Sequence, residues 1–215
     1  MIADTMNPNL IVIAGPNGAG KTTITSVLRA HKWFEGCVYV NPDNIAQERF
    51  GDHNDPRAVL EAARYAEAVR KNCIAAHESL AFETVFSAQD KLDFLCEAKD
   101  SGYFIRLFFV GTSDSAINAK RIYQRVLEGG HEVPMSKIPT RFQRAFDNLL
   151  HAIPLVDRAY VYDNSVEHQL PALQFRTRDG VVHKHYPNQC DWARAFSKQL
   201  EQTHAAAEQF GVEPL

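Results

Sequence analysis

Apolar residues along this chain recur in two alternating rhythms. Leu10 to Ala14 is an unbroken apolar run, the pattern of a strand buried on both faces of a sheet, and it leads through Gly15 to Gly20 into a helix beginning near Lys21. Val38 to Val40 is a short second strand ending at Asn41-Pro42-Asp43, with a short helix over Asn44 to Phe50. Pro56 then opens a long helix whose Val59, Ala62, Ala63, Ala66, Val69, Cys73 and Ala76 recur at helical spacing and predict its core face. Leu80 to Val85 is a third strand, Ala88 to Lys99 a helix, and Tyr103 to Val110 a fourth strand. A helix over Asp114 to Glu128, capped by Ser113 or Asp114, is broken sharply at Gly129-Gly130-His131-Glu132-Val133-Pro134, a lid candidate. Pro139 to Ala152 predicts another helix and Ala159 to Tyr162 a fifth strand. Beyond Asn164, Leu173 to Arg176 and Val181 to Tyr186 flank Arg178-Asp179-Gly180 as an antiparallel hairpin, and Asp191 to Gln209 reads as a terminal helix.

This alternation predicts an α/β fold: a parallel sheet flanked by helices, with a hairpin and a helix appended. Residues 8–165 form the main domain on this reading, and 166–215 attach to it.

Composition narrows the partners. The 215 residues carry 23 basic and 26 acidic side chains, a net charge of −3, and so lack the overall basic field that holds a nucleic-acid backbone. No apolar run approaches the ~20 residues that cross a bilayer, and Met1 to Asn9 lacks the order of a signal peptide, so a cytoplasmic protein is expected. Cys37, Cys73, Cys96 and Cys190 are scattered without a C-x-x-C pair and read as buried thiols. His183 and His185 share a strand face, but no third ligand accompanies them, and an exposed strand face is the simpler reading.

The segment Gly15-Pro16-Asn17-Gly18-Ala19-Gly20-Lys21-Thr22 fits G-x-x-x-x-G-K-[ST] without a mismatch, between a strand and a helix as the motif requires. Glycines let the backbone turn its N–H groups around a phosphate, and the helix N-terminus adds positive charge facing the same anion. Lys21 would bridge the β- and γ-phosphates and Thr22 would give its oxygen to Mg²⁺. Kinases, GTPases and motors share this cradle. No N-K-x-D base-reading segment occurs, and the fourth strand ends Val110-Gly111-Thr112 without an acid, which disfavours GTPases and large ATPase machines.

Asp43 follows the second strand, where parallel strands open onto the ligand crevice. It would accept a substrate hydroxyl's proton or hold that hydroxyl in line for transfer, and capping the short helix after Pro42 is a structural role that does not exclude this. Glu83 stands in an otherwise apolar strand, a costly place for a carboxylate unless a cation, metal or substrate donor meets it; an ion pair with a lid arginine is the structural alternative. In a regular strand Thr84 points to the opposite face unless the strand has ended there. Arg121, Arg125, Arg141 and Arg144 flank the glycine break, from which some of them would reach the phosphates.

Taken with Asn41-Pro42-Asp43, Phe82-Glu83-Thr84, the run Arg125 to Pro134, Ile138, Arg141 and Tyr162-Asp163-Asn164-Ser165, residues 8 to 165 resemble the zeta-toxin-like P-loop kinases. The resemblance implies an ATP-dependent kinase acting on a sugar hydroxyl of UDP-N-acetylglucosamine or a related nucleotide sugar, with an antitoxin as possible partner. It further implies Asp43 as base, Gly15 to Thr23 as the nucleotide cradle, Glu83 and Thr84 at the acceptor, Arg125 and Arg141 as phosphate clamps, and Asn164 at the adenine rim. The best-known branch carries E-x-T-x-R on the third strand, whereas Ser87 stands four residues after Glu83 here. A kinase for another small metabolite, and a nucleotide-dependent switch with weak ATPase activity, remain the alternatives.

Overall fold

The computed structural model describes residues 7–51, 55–130 and 133–210. Seven strands form one sheet in the order β2-β3-β1-β4-β5-β6-β7, where β1 is Asn9–Ala14, β2 Val38–Val40, β3 Leu80–Thr84, β4 Phe104–Gly111, β5 Arg158–Asp163, β6 Ala172–Arg178 and β7 Val181–His185. The first five are mutually parallel, and β6 and β7 join antiparallel to the β5 edge. The α/β expectation therefore holds, and the hairpin extends the sheet that the parallel strands begin.

The helices are α1 (Lys21–Arg29), α2 (Pro42–Phe50), α3 (Pro56–Ala76), α4 (Asp90–Asp100), α5 (Ser115–Leu127), α6 (Ile138–Ala152) and α7 (Asp191–Phe210). Alternate residues of the central strands feed two apolar layers, as the two-residue period of a strand demands. Leu10, Val12, Phe82, Leu107 and Phe109 pack on one face beneath α3, α4, α6 and α7; Ile11, Ile13, Ala81, Phe108 and Val110 pack on the other with Ile24 and Leu28 of α1. Strand β1 lies between β3 and β4, so successive crossovers leave it in opposite directions and a crevice opens at its carboxyl end.

Three local expectations change. The core face of α3 is Ala58, Ala62, Ala66, Arg70, Cys73 and Ile74, while Val59, Ala63 and Ala76 face outward. Ala62, Ala66 and Cys73 are buried as expected and Val69 packs at the core's margin, but an alanine-rich helix offers little contrast between its faces, so periodicity placed three outward residues on the core face. Only Cys73 of the four thiols is buried; Cys37 and Cys190 are half-buried and Cys96 is exposed on α4. Helix α2 begins at Pro42 and is capped by Asn41, whose side chain accepts the Asp43 backbone N–H at 3.0 Å, so Asp43 is not the cap. Between α5 and α6, Val133 packs with Ile122 and Ile138 in a small separate cluster; His131 and Glu132 lie outside the described residues.

Helix α7 is anchored to β5 through Trp192, whose indole N–H donates to Asp163 Oδ1 at 2.7 Å and whose ring meets Phe146 edge-on at 5.1 Å. Trp192→Ala removes both contacts and leaves the largely buried Asp163 with one donor fewer. A loss of about 3 kcal/mol in urea unfolding is expected, in one transition that α7 shares with the sheet.

Candidate active site

The phosphate loop runs from the end of β1 over the end of β4. Gly15 adopts φ +144°, and a Cβ there would stand 2.2 Å from the Val110 carbonyl oxygen; a Cβ on Gly20, at φ +96°, would stand 2.3 Å from Asn164 Nδ2. Both positions require glycine because backbone or a fixed amide already occupies the side-chain direction. Asn118, fully buried on α5, donates to the Asn17 carbonyl at 2.6 Å and accepts from the Thr112 hydroxyl. Asn164 donates to the Ala19 carbonyl at 2.8 Å. The loop is thus pinned from two sides before any ligand binds.

Helix α1 starts directly after the loop with no side-chain cap, so its first N–H groups face the loop's concave side. Asn17 Oδ1 is buried without a hydrogen-bond partner among the described residues. Lys21 Nζ donates to the Gly15 and Pro16 carbonyls at 2.9 and 3.2 Å. Burial pulls the ammonium down to about 8; Glu83 and Asp43 favour its charge, while Arg125 opposes it. An uncapped helix end, inward-turned glycines and a desolvated cation suit a phosphate group, and Thr22 beside them offers a hydroxyl suited to Mg²⁺.

Glu83 is 7% exposed at the end of β3, in register with Ile13. Its Oε1 accepts from Thr25 Oγ1 and from Tyr39 Oη, each at 2.7 Å. No ion pair joins it to a lid arginine among the described residues; two hydroxyls take that place. Burial and the Glu83 acceptor together push the Tyr39 phenol well above its usual range, which keeps Tyr39 a donor. Strand β3 ends at Thr84, whose Oγ1 accepts the Phe86 N–H at 3.0 Å, and both Glu83 and Thr84 line the same cavity.

That cavity measures about 1040 Å³, just above the ~300–1,000 Å³ typical of small-molecule sites. Gly18, Gly20, Lys21 and Thr22 form one wall; Asp43 stands exposed on α2, and Arg121, Arg125 and Arg141 border the opening. Arg144, one turn on from Arg141, is exposed and outside the lining. Arg121 also reaches a second cleft of about 290 Å³ bordered by Gln124, Asn164 and residues 166–169, and its Nη1 is buried with no hydrogen-bond partner among the described residues.

Sequence reasoning passed over Thr25, Tyr39 and Arg70 of this lining. Thr25 lies one helical turn after Lys21 and Tyr39 two residues before Asn41, spacings that place both toward the loop once the strand order is known. His183 and His185 lie outside the site: His185 contacts Glu201 at 3.0 Å, and no group of ligands suited to a metal ion occurs among the described residues.

A parallel sheet with a pinned glycine loop at its strand-order reversal defines a P-loop protein of the kinase-like α/β class. A family model described as Zeta toxin matches residues 2–170. The chain belongs to the zeta-toxin family. A Haemophilus influenzae protein, itself described only as uncharacterized, is 27% identical over 137 residues, which are 64% of this chain and 94% of that one. The AvrRxo1-ORF1:-ORF2 structure with ATP superposes with a TM-score of 0.64 at 15% identity, covering 91% of this chain and 65% of that chain. This chain therefore spans just under two thirds of that structure's length. A structure of the PezAT chromosomal toxin-antitoxin system of Streptococcus pneumoniae gives a TM-score of 0.58 at 14% identity, covering 92% of this chain and 86% of that one. At these identities the structural likeness is one of fold.

The Lys21 ammonium offers a direct check on the site's electrostatics. In the ligand-free protein its Cε resonance should titrate near pH 8, and Glu83→Gln should move the midpoint lower, because the Glu83 charge holds the proton on. An ordinary lysine midpoint above pH 10 would contradict the described burial.

Proposed function

We propose that the protein is an ATP-dependent kinase that transfers the γ-phosphate to a sugar hydroxyl of a nucleotide sugar, with UDP-N-acetylglucosamine the first acceptor to test. The observation that carries this reading is the convergence of Lys21, Asp43 and Glu83 with Arg121, Arg125 and Arg141 on one cavity large enough for two small molecules side by side.

In this mechanism the loop amides of Gly15 to Thr23, with Pro16, Asn17 and Ala19 shaping the turn, cradle the triphosphate, and Lys21 bridges its β- and γ-phosphates. Thr22 would hold Mg²⁺, which when bound neutralises charge on the phosphates. Asp43 accepts the acceptor hydroxyl's proton as the oxygen attacks the γ-phosphorus; the bond to the bridging oxygen breaks and ADP leaves. Arg125 and Arg141 stabilise charge on the transferred group's equatorial oxygens, and the unpartnered edge of Arg121 belongs with them. Glu83, held by Thr25 and Tyr39, accepts a hydrogen bond from the acceptor beside Thr84 and keeps the Lys21 charge in place. Asn164 supports the loop from the cleft where the adenine would lie.

A protein inhibitor is proposed as partner, on the precedent of the PezAT toxin-antitoxin system. Among the described residues no helix is long and apolar enough to cross a membrane, and an ATP-consuming enzyme of this kind would act in the cytoplasm.

Incubation with ATP, Mg²⁺ and UDP-N-acetylglucosamine, read by mass, should show one added phosphate on the sugar nucleotide. A panel of other alcohols tests a different metabolite, and ADP release with no phosphorylated product would mean a switch. Asp43→Ala should lower turnover with the acceptor by about 10²- to 10⁴-fold with little change in ATP affinity, whereas Lys21→Ala should damage both. Near-normal turnover in Asp43→Ala would remove Asp43 from the base role.

A further inference from the structure

Beyond the catalytic groups, the cavity continues into a lobe walled by α3 and by the segment leading into α4, where Leu60, Ala63 and Arg70 join Val85, Phe86 and Lys91. The side opposite the phosphate loop is the acceptor's side on the kinase reading, and the inference here rests on that reading. The lobe's cations differ sharply in their partners. Arg64 pairs with Glu61 at 2.9 Å, and Lys91 pairs with its neighbour Asp90. The lobe's other acid, Glu67, pairs with Lys71 at 2.9 Å.

Arg70 has no such partner. It is 6% exposed, makes no ion pair or hydrogen bond among the described residues, and still borders the cavity. Its guanidinium lies over Phe82 and Phe94, with centroid distances of 5.2 and 5.7 Å. Asp90 and Glu67 act on it only at longer range, while burial disfavours its charge. Aromatic faces satisfy the flat side of a guanidinium but not its N–H edge. The N–H edge opens onto the cavity and is not sealed from water, and an oxyanion entering the lobe gives its donors a charged acceptor in place of that water.

We infer that Arg70 is a specificity-determining residue that receives a phosphate or diphosphate group of the acceptor, through its N–H edge, in the α3–α4 lobe of the cavity. Acceptors are then phosphorylated alcohols, held by Arg70 at their anionic end while the hydroxyl lies toward Asp43. The planar fork matches two phosphate oxygens at once. An uncharged sugar of the same shape leaves the fork unsatisfied and is disfavoured.

The test fills the phosphate loop first. Protein saturated with Mg²⁺ and AMP-PNP is titrated by calorimetry with methylenediphosphonate, and separately with malonate as a dicarboxylate of similar span. One equivalent of diphosphonate should bind wild-type protein, malonate at least about tenfold more weakly. Arg70→Met, which keeps a long apolar stem over Phe82 and Phe94, should weaken diphosphonate by about tenfold or more while AMP-PNP affinity stays unchanged. AMP-PNP binding without any diphosphonate binding to wild-type protein would overturn this inference alone and leave the nucleotide reading standing. Equal diphosphonate affinity in Arg70→Met would make Arg70 a packing residue, and preferential malonate binding would overturn the phosphate assignment. Failure of AMP-PNP itself to bind would take down the kinase reading, and this inference with it.

Discussion

A half-buried lysine ammonium held against the carbonyls of a glycine loop is the constraint around which this molecule is arranged. Removing a cation from water is unfavourable unless carbonyls and carboxylates replace the lost hydration. Two loop carbonyls and the charges of Glu83 and Asp43 do so here. Those acids reach Lys21 from different strand ends, which is possible only because β3 is hydrogen-bonded to β1 and β2 lies beyond it. Sheet order and site electrostatics are thus one fact seen at two scales.

The same logic explains the polar residues in otherwise apolar places. Glu83 on β3 falls on the face that packs against α1, so Thr25 and Tyr39 can reach it with hydroxyls, and neither brings a competing positive charge. Asn118 is fully buried because the loop carbonyl of Asn17 needs a donor at the point where α5 crosses it. Glu83, Thr25 and Asn118 near the loop each have a hydrogen-bond partner, whereas Asn17 Oδ1 and Arg121 Nη1 are buried without one among the described residues. These two orphaned atoms border the cavity, which is where unsatisfied groups are tolerated when a ligand completes them, and Arg70 opens its N–H edge into the same space.

Much of the fold was legible from pattern alone, because a central parallel strand is apolar throughout and its helices carry periodic stripes. The reading failed where contrast was low. Alanine on both sides of α3 blurred its core face, and Asn41 and Asp43 are equally good caps by residue type, so only backbone geometry separated them. For the site, Lys21, Asp43 and Glu83 could be named in advance, but the partner of Glu83 could not. An arginine from the lid and a hydroxyl from α1 are both compatible with a carboxylate in an apolar strand.

The chain by itself determined the phosphate loop, since strand, glycines, lysine and helix are consecutive residues whose geometry follows from local sterics. It also determined that acids stand at strand ends and that arginines flank a glycine break. Tertiary structure alone decided that Arg121 and Arg141 border the cavity while Arg144 faces solvent, that α3 turns Arg70 inward onto two phenylalanines, and that Asn164 locks the loop. The reason is physical: burial, desolvation and hydrogen bonding depend on neighbours tens of residues away, and strand order chooses those neighbours.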